Sequence, residues 1–384
     1  MSPLTNRSPD IAVVGGGIVG TATAAFLAAA GARVTLYERT ALAAGASGRN
    51  SGVIQQPHDP ILAGLYRTSL EAYRTLDAAS AGALSLATEP VGLLHVGRDR
   101  AVVEAIAAAW RATDPTAAPE VIGGSQLRRL EPSLADDLVA CRLAIGFPVA
   151  PAAATLAFGA LAERAGVRIV IGDARPRVRD GVAGGVTVNG REEPAGAVVI
   201  AAGPWTPALI DPSGAWEPIH ARWGVVARVA VEAAPRHVLE EAGIDIEPES
   251  ADDDGGATGP VAGDAMEFSL VTAAGATSLG STFLAAEPRA ADLVETLRAR
   301  GARFVPGLAT ALLVAVRSCA RPVSLDARPL VGRVPWIERA FVAAGHGPWG
   351  ISTGPGTARL IADLVLGEAP AIPAQLAPGR FGSP

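Results

Sequence analysis

The residues from Ile11 to Arg39, IAVVGGGIVGTATAAFLAAAGARVTLYER, combine an apolar strand, a glycine-rich turn, an alanine-rich helix and a second strand. Gly15 allows a tight turn after the first strand, and Gly17 lets the backbone approach a phosphate because no Cβ intervenes. Gly20 lets the helix pack closely against the strand. The order and spacing of these parts predict a βαβ unit that binds the ADP half of a dinucleotide.

The start of this helix and the end of the second strand supply further predicted nucleotide contacts. The backbone N–H groups of Ile18 and Val19 lie in the first turn of the helix, where the helix dipole favours a phosphate. Glu38 lies about 20 residues after the glycine turn, as expected for a carboxylate that binds a ribose 2′-hydroxyl, and Arg39 follows it. An acidic residue here disfavours a 2′-phosphate. The motif is compatible with both NAD and FAD.

The chain of 384 residues contains no lysine, and its formal net charge is −6. The missing lysine removes a Schiff-base amine, a Walker-type phosphate ligand and a lysine general base, so we expect the chemistry to depend on a cofactor. No basic stripe indicates nucleic-acid binding, and no apolar run indicates a signal peptide or a membrane-spanning helix. Cys141 and Cys319 lack metal-type spacing, which favours a cytoplasmic protein without a metal site.

Four segments occur in a recognisable order: Val13 to Arg39, Gly45 to Gly52 (GASGRNSG), Val198 to Trp205 (VIAAGPW), and Arg321 to Ala358 (RPVSLDARPLVG through GHGPWGISTGPGTA). Together they resemble the FAD-dependent D-amino acid oxidase-like family, which includes glycine oxidase, sarcosine oxidase and D-amino acid dehydrogenase. The resemblance therefore favours FAD over NAD as the cofactor.

The resemblance also implies the fold and the domain organisation. The fold class is α/β, with an FAD-binding Rossmann-like domain and a second, α+β substrate domain built on an antiparallel sheet. The FAD-binding domain is expected to be discontinuous, at residues 1–82, 146–214 and 321–384. The substrate-binding domain is expected at residues 83–145 and 215–320.

The three later segments carry further cofactor-binding residues, as the resemblance implies. The GASGRNSG segment has small residues that can pass against a flat ring and polar groups for phosphates or ring heteroatoms. The segment VIAAGPW contains small residues where a bulkier side chain would collide with the cofactor. The helix after the last glycine-rich turn would present its positive end to the flavin pyrimidine ring. The residues concerned are Ser47, Arg49, Asn50, Ser51, Gly52, Ala202, Gly203, Gly345, Gly347, Gly350 and Ile351.

In the family that the chain resembles, the carbon that bears the amine transfers a hydride to flavin N5, and the resulting imine hydrolyses. We therefore expect oxidation of the C–N bond of an amino acid or a secondary amine. Arg321 matches the position of the family's carboxylate-binding arginine, and a planar guanidinium suits a carboxylate. His346 is the other catalytic candidate, as a contact to flavin or substrate.

Three departures from the family pattern leave details open. Cys319 has the spacing of a covalent flavin link, but its neighbours resemble the non-covalent relatives, so non-covalent FAD is expected and a small buried side chain is the alternative. Ser278 lies in the strand where sarcosine oxidase has a lysine, so the electron acceptor is O2, a quinone or another protein. The three tyrosines all precede residue 74, so Trp223, Phe268 or Phe283 would shape the substrate pocket.

Several functions remain compatible with the sequence. The same flavin geometry can oxidise a 2-hydroxy acid, and a flavin hydroxylase or an NAD dehydrogenase would consume reduced nicotinamide. A flavoprotein subunit that is active only in a hetero-oligomer is a further alternative. The acidic, glycine- and proline-rich stretch from Glu247 to Asp264 is expected to form a surface loop, with a lid as the alternative.

Overall fold

The structure, a computed structural model, describes residues 10–243 and 266–384, and the stretch from Glu247 to Asp264 lies outside these ranges. The helices are α1 (Ile18–Ala29), α2 (Ala46–Arg49), α3 (Pro60–Ala79), α4 (Arg100–Thr113), α5 (Gly124–Leu130), α6 (Ala153–Arg164), α7 (Thr206–Ile210), α8 (Val294–Ala302) and α9 (Gly350–Val365). Short 3₁₀ helices are Pro115–Ala117, Gly203–Trp205, Ala290–Leu293, Pro306–Ala309, Gly347–Trp349, Ala374–Leu376 and Pro378–Phe381. In the described ranges, no helix is long and apolar enough to cross a membrane.

Within residues 10–243 and 266–384, the strands form four sheets. They are β1 (Asp10–Val14), β2 (Arg33–Glu38), β3 (Val53–Ile54), β4 (Leu93–Gly97), β5 (Glu120–Gly123), β6 (Val139–Leu143), β7 (Phe147–Pro148), β8 (Arg168–Ile171), β9 (Ala174–Arg179), β10 (Val182–Val188), β11 (Arg191–Pro194), β12 (Ala197–Ile200), β13 (Ile219–Ala230), β14 (Val238–Glu241), β15 (Met266–Ala273), β16 (Ala276–Thr282), β17 (Leu312–Ser324), β18 (Leu330–Arg333) and β19 (Ala340–Ala344).

A six-stranded sheet, in the order β18-β19-β12-β1-β2-β8, contains the predicted βαβ unit. Its strands are parallel apart from the antiparallel pair β18 and β19. The sequence of β1 is apolar throughout Ile11–Val14, and these residues are buried because both faces of the sheet are covered. Helix α1 packs against α6 and α9, and its small alanine side chains let the helices approach closely.

An eight-stranded sheet, in the order β17-β13-β16-β15-β14-β4-β6-β5, is antiparallel apart from the parallel pair β14 and β4. One face packs on α8 through a core that includes Phe268, Leu270, Leu279, Leu297 and Phe304. A small antiparallel sheet of β9, β10 and β11 and the pair β3 and β7 complete the described strands.

The predicted fold class, an α/β nucleotide-binding unit beside an antiparallel sheet, is confirmed. The exact domain boundaries stay a prediction. β17 belongs to the eight-stranded sheet along its whole length and runs through Arg321 to Ser324, so this strand crosses the boundary that the sequence places at residue 321.

Candidate active site

The glycine-rich turn between β1 and α1 has the close contacts that the sequence predicts. Gly15 has a φ of +115°, and a Cβ built there would lie 2.3 Å from the carbonyl oxygen of Ala201 on the neighbouring segment. A Cβ on Gly20 would lie 1.8 Å from the carbonyl oxygen of Gly15. These two glycines therefore let strand, turn and helix meet, as expected.

Gly17 differs because its missing side chain opens space rather than permitting a backbone contact. A Cβ there would lie 3.0 Å from Ser47 Oγ and would meet no other atom closer than 3.9 Å. The hydroxyl of Ser47 accepts a hydrogen bond from the Ile18 N–H at 3.0 Å. The first turn of α1 is therefore tied to α2 beside a backbone that a phosphate can approach.

Glu38 lies where β2 ends and fastens the same turn. Its Oε2 accepts a hydrogen bond from the Gly16 N–H at 2.7 Å, and its Oε1 accepts one from the Thr40 N–H at 2.9 Å. The ribose contact stays a prediction, since the carboxylate also has a structural role in this loop.

The segment GASGRNSG forms α2 and the turn that follows it. Asn50 Nδ2 donates to the Ser47 carbonyl at 2.8 Å, and Asn50 Oδ1 accepts from the Gly52 N–H at 2.8 Å. Arg317 on β17 donates to the carbonyl oxygens of Arg49 and Asn50 at 3.1 and 2.7 Å. The segment is thus held against the edge strand of the eight-stranded sheet.

A cavity of about 490 Å³ connects these elements. Most of the site residues predicted from the sequence line it: Gly15, Gly17, Ile18, Val19, Glu38, Arg39, Ser47, Arg49, Asn50, Ala202, Gly203, Arg321, His346, Gly347, Gly350 and Ile351. Four predicted residues are not among its lining residues: Gly20, Ser51, Gly52 and Gly345. Gly20 and Gly52 instead permit close backbone contacts, and Gly345 has a φ of +87° in the turn after β19.

Arg321 brings a guanidinium from the edge strand β17 into this cavity. It donates to the carbonyl oxygen of Thr282 at 2.6 Å and to the hydroxyl of Ser281. The guanidinium carbon lies 4.3 Å from the centre of the Phe283 ring, and a Cβ on Gly224 would collide with the guanidinium. These contacts fix its orientation and leave further N–H donors of the planar group for a ligand.

His346 also lines the cavity, but its ring nitrogen has a protein partner. Nε2 lies 3.0 Å from the hydroxyl of Thr357 in α9, and the residue is buried. Burial lowers the pKa of His346 to about 4. The imidazole is therefore neutral at pH 7.

Ser278 lies on β16 and Cys319 lies on β17. Cys319 lines the cavity and is buried, and burial raises the pKa of its thiol. Ser278 Oγ accepts a hydrogen bond from Arg317 at 3.0 Å. Because the thiol is kept protonated, it is a poor nucleophile, which is in keeping with the predicted non-covalent cofactor.

The aromatic residues predicted to shape the pocket differ in whether they lie at the cavity. Trp223 lines the cavity and Phe283 stacks on Arg321. The expectation for Phe268 is wrong: its ring is buried in the core on the other face of the sheet, stacked at 4.6 Å on Phe304. The alternation of β15 directs it away from the site because α8 covers that face.

Sequence reasoning missed two parts of the site. Asp173 and Arg175 line the cavity just after β8, at the carboxyl end of a parallel strand, where ligands of open α/β sheets bind. Trp205 lines it as well, with the Arg39 guanidinium 4.6 Å from its ring centre. Ligands of open α/β sheets bind at the carboxyl ends of parallel strands, so Asp173 and Arg175 would have been predicted if the position of β8 in the sheet had been known.

The family model of FAD dependent oxidoreductases matches residues 10–364. The chain belongs to this family. The oxidoreductase is similar to the glycine oxidase of Pseudomonas aeruginosa, with 28% identity over 396 aligned positions that cover 97% of this chain and 100% of that protein. It is also similar to the glycine oxidase of Geobacillus kaustophilus, with 29% identity over 93% of this chain and 92% of the relative.

Solved structures share the fold of this oxidoreductase. The crystal structure of glycine oxidase from Geobacillus kaustophilus has a TM-score of 0.81 and 23% identity, covering 97% of this chain and 98% of that one. L-proline dehydrogenase from P. horikoshii has a TM-score of 0.80 and 18% identity, covering 98% of both chains. At these identities the similarity is one of fold.

The residues of the oxidoreductase fit its cofactor, FAD. The cavity begins at a glycine turn where Cβ atoms would fill the approach to the backbone, and it lies beside the N-terminal turns of α1 and α9. These helix ends offer N–H groups to phosphates or to an anionic ring. Gly15 to Val19, α2, Ala202 and Gly203, and Gly347 to Ile351 are the elements that would hold it.

Proposed function

We propose that this oxidoreductase oxidises the C–N bond of an amino acid or a secondary amine. The observation that carries the proposal is the position of Arg321, whose oriented guanidinium lines the same cavity as the dinucleotide-binding turn. Glycine oxidases among the relatives, together with a proline dehydrogenase and L-amino acid deaminases among the structures of similar fold, support an amino-acid substrate.

The protein's own part in this reaction is to bind and orient the substrate. When bound, FAD supplies the hydride acceptor for the carbon that bears the nitrogen. Arg321 would hold the substrate carboxylate with two parallel hydrogen bonds, and Phe283 and Gly224 keep its plane fixed. The neutral His346, held by Thr357, would contact substrate or cofactor without exchanging a proton near pH 7.

The electron acceptor is proposed to be O2, a quinone or another protein. The sequence resemblance implies that Ser278 lies in the strand where sarcosine oxidase has a lysine, and Arg317 donates to its hydroxyl. The chain has no lysine to take that place. A dehydrogenase that passes electrons to a quinone or another acceptor is therefore proposed beside an oxidase that uses oxygen.

The test is the absorption spectrum of the purified protein without oxygen, before and after addition of D-, L- and N-alkyl amino acids, and separately of 2-hydroxy acids. Bleaching of the flavin by the amino acids supports the proposal, and readmitted oxygen or an added quinone then identifies the acceptor. Bleaching by hydroxy acids alone contradicts it and favours a hydroxy-acid dehydrogenase. A flavin that no compound bleaches favours a subunit that needs a partner.

Replacement of Arg321 tests the carboxylate contact. Arg321→Ala should raise the KM of an amino acid on the order of 100-fold, since charge-assisted hydrogen bonds worth about 2–3 kcal/mol are lost. The KM of an amine without a carboxylate should change far less. Arg289→Ala is the matched control because Arg289 is exposed. Equal changes in the KM of both classes of substrate would show that Arg321 does not bind the substrate carboxylate.

A further inference from the structure

Arg39 and Trp205 form a pair at the wall of the cavity, and no sequence motif predicts their contact. The guanidinium carbon of Arg39 lies 4.6 Å from the centre of the Trp205 ring, and both side chains line the cavity. Arg39 is exposed and Trp205 is 46% exposed, so the indole is not part of a hydrophobic core. Water weakens the attraction between a cation and a ring, so a ligand that covers the pair would strengthen it.

The order of the strands places this pair across the glycine-rich turn. β12 and β2 flank β1 in the six-stranded sheet, and all three strands are parallel. Arg39 directly follows β2, and Trp205 ends the 3₁₀ helix that comes after β12. Neighbouring strands lie about 4.8 Å apart, so the ends of β2 and β12 are separated by about 10 Å. The two side chains therefore meet across the end of β1, where the glycine-rich turn begins.

The backbone holds both residues of the pair in place. Arg39 lies between Glu38 and Thr40, and the Thr40 N–H donates a hydrogen bond to the Glu38 carboxylate at 2.9 Å. Trp205 follows Pro204, whose ring fixes the backbone φ within the 3₁₀ helix. Both side chains therefore extend from ordered turns.

The guanidinium of Arg39 has N–H donors left for a ligand. Within residues 10–243 and 266–384, Arg39 forms no ion pair and donates no hydrogen bond. The acids nearest in sequence and at the end of β8 are already bound, since Glu38 accepts from the Gly16 N–H at 2.7 Å and Asp173 lies 3.3 Å from Arg175. The contact with the indole uses the charge of Arg39 and leaves its five N–H groups free.

We propose that Trp205 is a positioning residue that holds the Arg39 guanidinium for the AMP half of FAD, and that the pair closes the cavity over this half. The phosphate and ribose oxygens of AMP accept hydrogen bonds from a guanidinium. Ile18 and Val19, which are predicted to contact phosphate, and Glu38, which is predicted to contact ribose, line the same cavity. The inference depends on the cofactor and is independent of the substrate proposed above.

Such a pair acts mainly on the release of the cofactor. FAD that leaves through this opening breaks its contact with Arg39, whereas FAD that enters has not yet formed it. Contacts that exist only in the complex change the dissociation rate more than the association rate. The dissociation rate of FAD is therefore the quantity to measure.

The experiment follows the rise in flavin fluorescence as FAD leaves the diluted holoenzyme. Trp205→Ala and Arg39→Ala should each release FAD about tenfold faster than the wild type. Trp205→Phe keeps an aromatic ring for the guanidinium and should restore most of the slow release. Phe381→Ala is the matched control, because Arg380 lies 4.4 Å from the centre of the Phe381 ring and neither residue lines the cavity. Circular dichroism shows that each variant is folded.

Two further measurements separate positioning from packing. If Trp205 acts through Arg39, the variant with both alanines should release FAD about as fast as either single variant, because the same contact is lost. Salt should speed release from the wild type more than from Arg39→Ala, since it screens the charge of Arg39. Single effects that multiply in the double variant would overturn the positioning role of Trp205. Release at the wild-type rate from both single variants would overturn the contact with FAD, whether or not an amino acid bleaches the flavin.

Discussion

At the residue scale, backbone packing requires two glycines of the turn, Gly15 and Gly20, whereas Gly17 is predicted to be required by the ligand. Gly15 and Gly20 would each place a Cβ within 2.3 Å of a backbone oxygen, so substitution there distorts the βαβ unit. Gly17 has only the hydroxyl of Ser47 nearby, at 3.0 Å. A side chain at Gly17 therefore occupies space next to the N–H groups that are predicted to bind a phosphate, more than it disturbs packing.

Gly17→Val should give a folded protein that binds FAD at least about tenfold more weakly, a loss of about 1.4 kcal/mol or more. The methyl groups would displace Ser47 from the Ile18 N–H and block the approach of a phosphate. The flavin content of the purified variant, read from absorbance, is the measurement. Gly307→Val is the control, since nothing lies within 4 Å of a Cβ there. A yellow Gly17→Val variant with full occupancy would contradict the phosphate assignment.

At the element scale, helix α9 depends on α3. Pro355 within α9 has no N–H, so the carbonyl oxygen of Ile351 lacks its helical donor. The hydroxyl of Tyr73 in α3 donates to that oxygen at 2.7 Å. Ser69 Oγ accepts a hydrogen bond from the Gly356 N–H at 2.8 Å. Two polar side chains of α3 thus satisfy the backbone where α9 begins beside the cavity.

Tyr73→Phe should lower the free energy of unfolding by about 1–3 kcal/mol, because it leaves a buried carbonyl oxygen without a donor. Tyr66→Phe, two turns earlier on the same helix, is the matched control, since the Tyr66 hydroxyl makes no hydrogen bond within the described residues. It should change stability by no more than about 0.5 kcal/mol. Urea denaturation followed by circular dichroism compares them. Equal shifts of the urea denaturation midpoints of the two variants would show that the Tyr73 hydrogen bond does not contribute to stability.

At the scale of the whole molecule, the cavity is assembled from segments between Val14 and Ile351. The six-stranded sheet contributes strand ends and helix N-termini, and β17 brings Cys319 and Arg321 from the eight-stranded sheet. No single segment contains the site. A cofactor that is held only by these contacts is released when the chain unfolds.

Unfolding should therefore release all the flavin as free FAD, and added FAD should stabilise the folded protein by about 2.7 kcal/mol at 100 times its Kd. Ultrafiltration after denaturation, together with the mass of the denatured chain, shows whether all the flavin has been released. The melting temperature measured at several FAD concentrations shows how much FAD stabilises the folded protein. Cys319→Ser should behave as the wild type does. Flavin that stays on the denatured chain, and is lost from the Cys319→Ser variant, would establish a covalent link instead.

The sequence by itself determined the βαβ unit, the apolar character of its first strand and the need for a cofactor. These follow from local rules: glycine at a positive φ, an apolar strand before a helix, and the absence of lysine from the chain. Glu38 and the glycine-rich approach to α9 were found for the same reason, since their role follows from neighbours in the chain.

Only the tertiary structure decided which residues far apart in sequence share the site. Alternation showed that Glu267 and Phe268 lie on opposite faces of β15, but not which face α8 would cover. That cover buries Phe268 in the core and leaves Glu267 on the opposite face of the strand. Packing of one element on another depends on the whole chain, so no local pattern could have placed these two side chains.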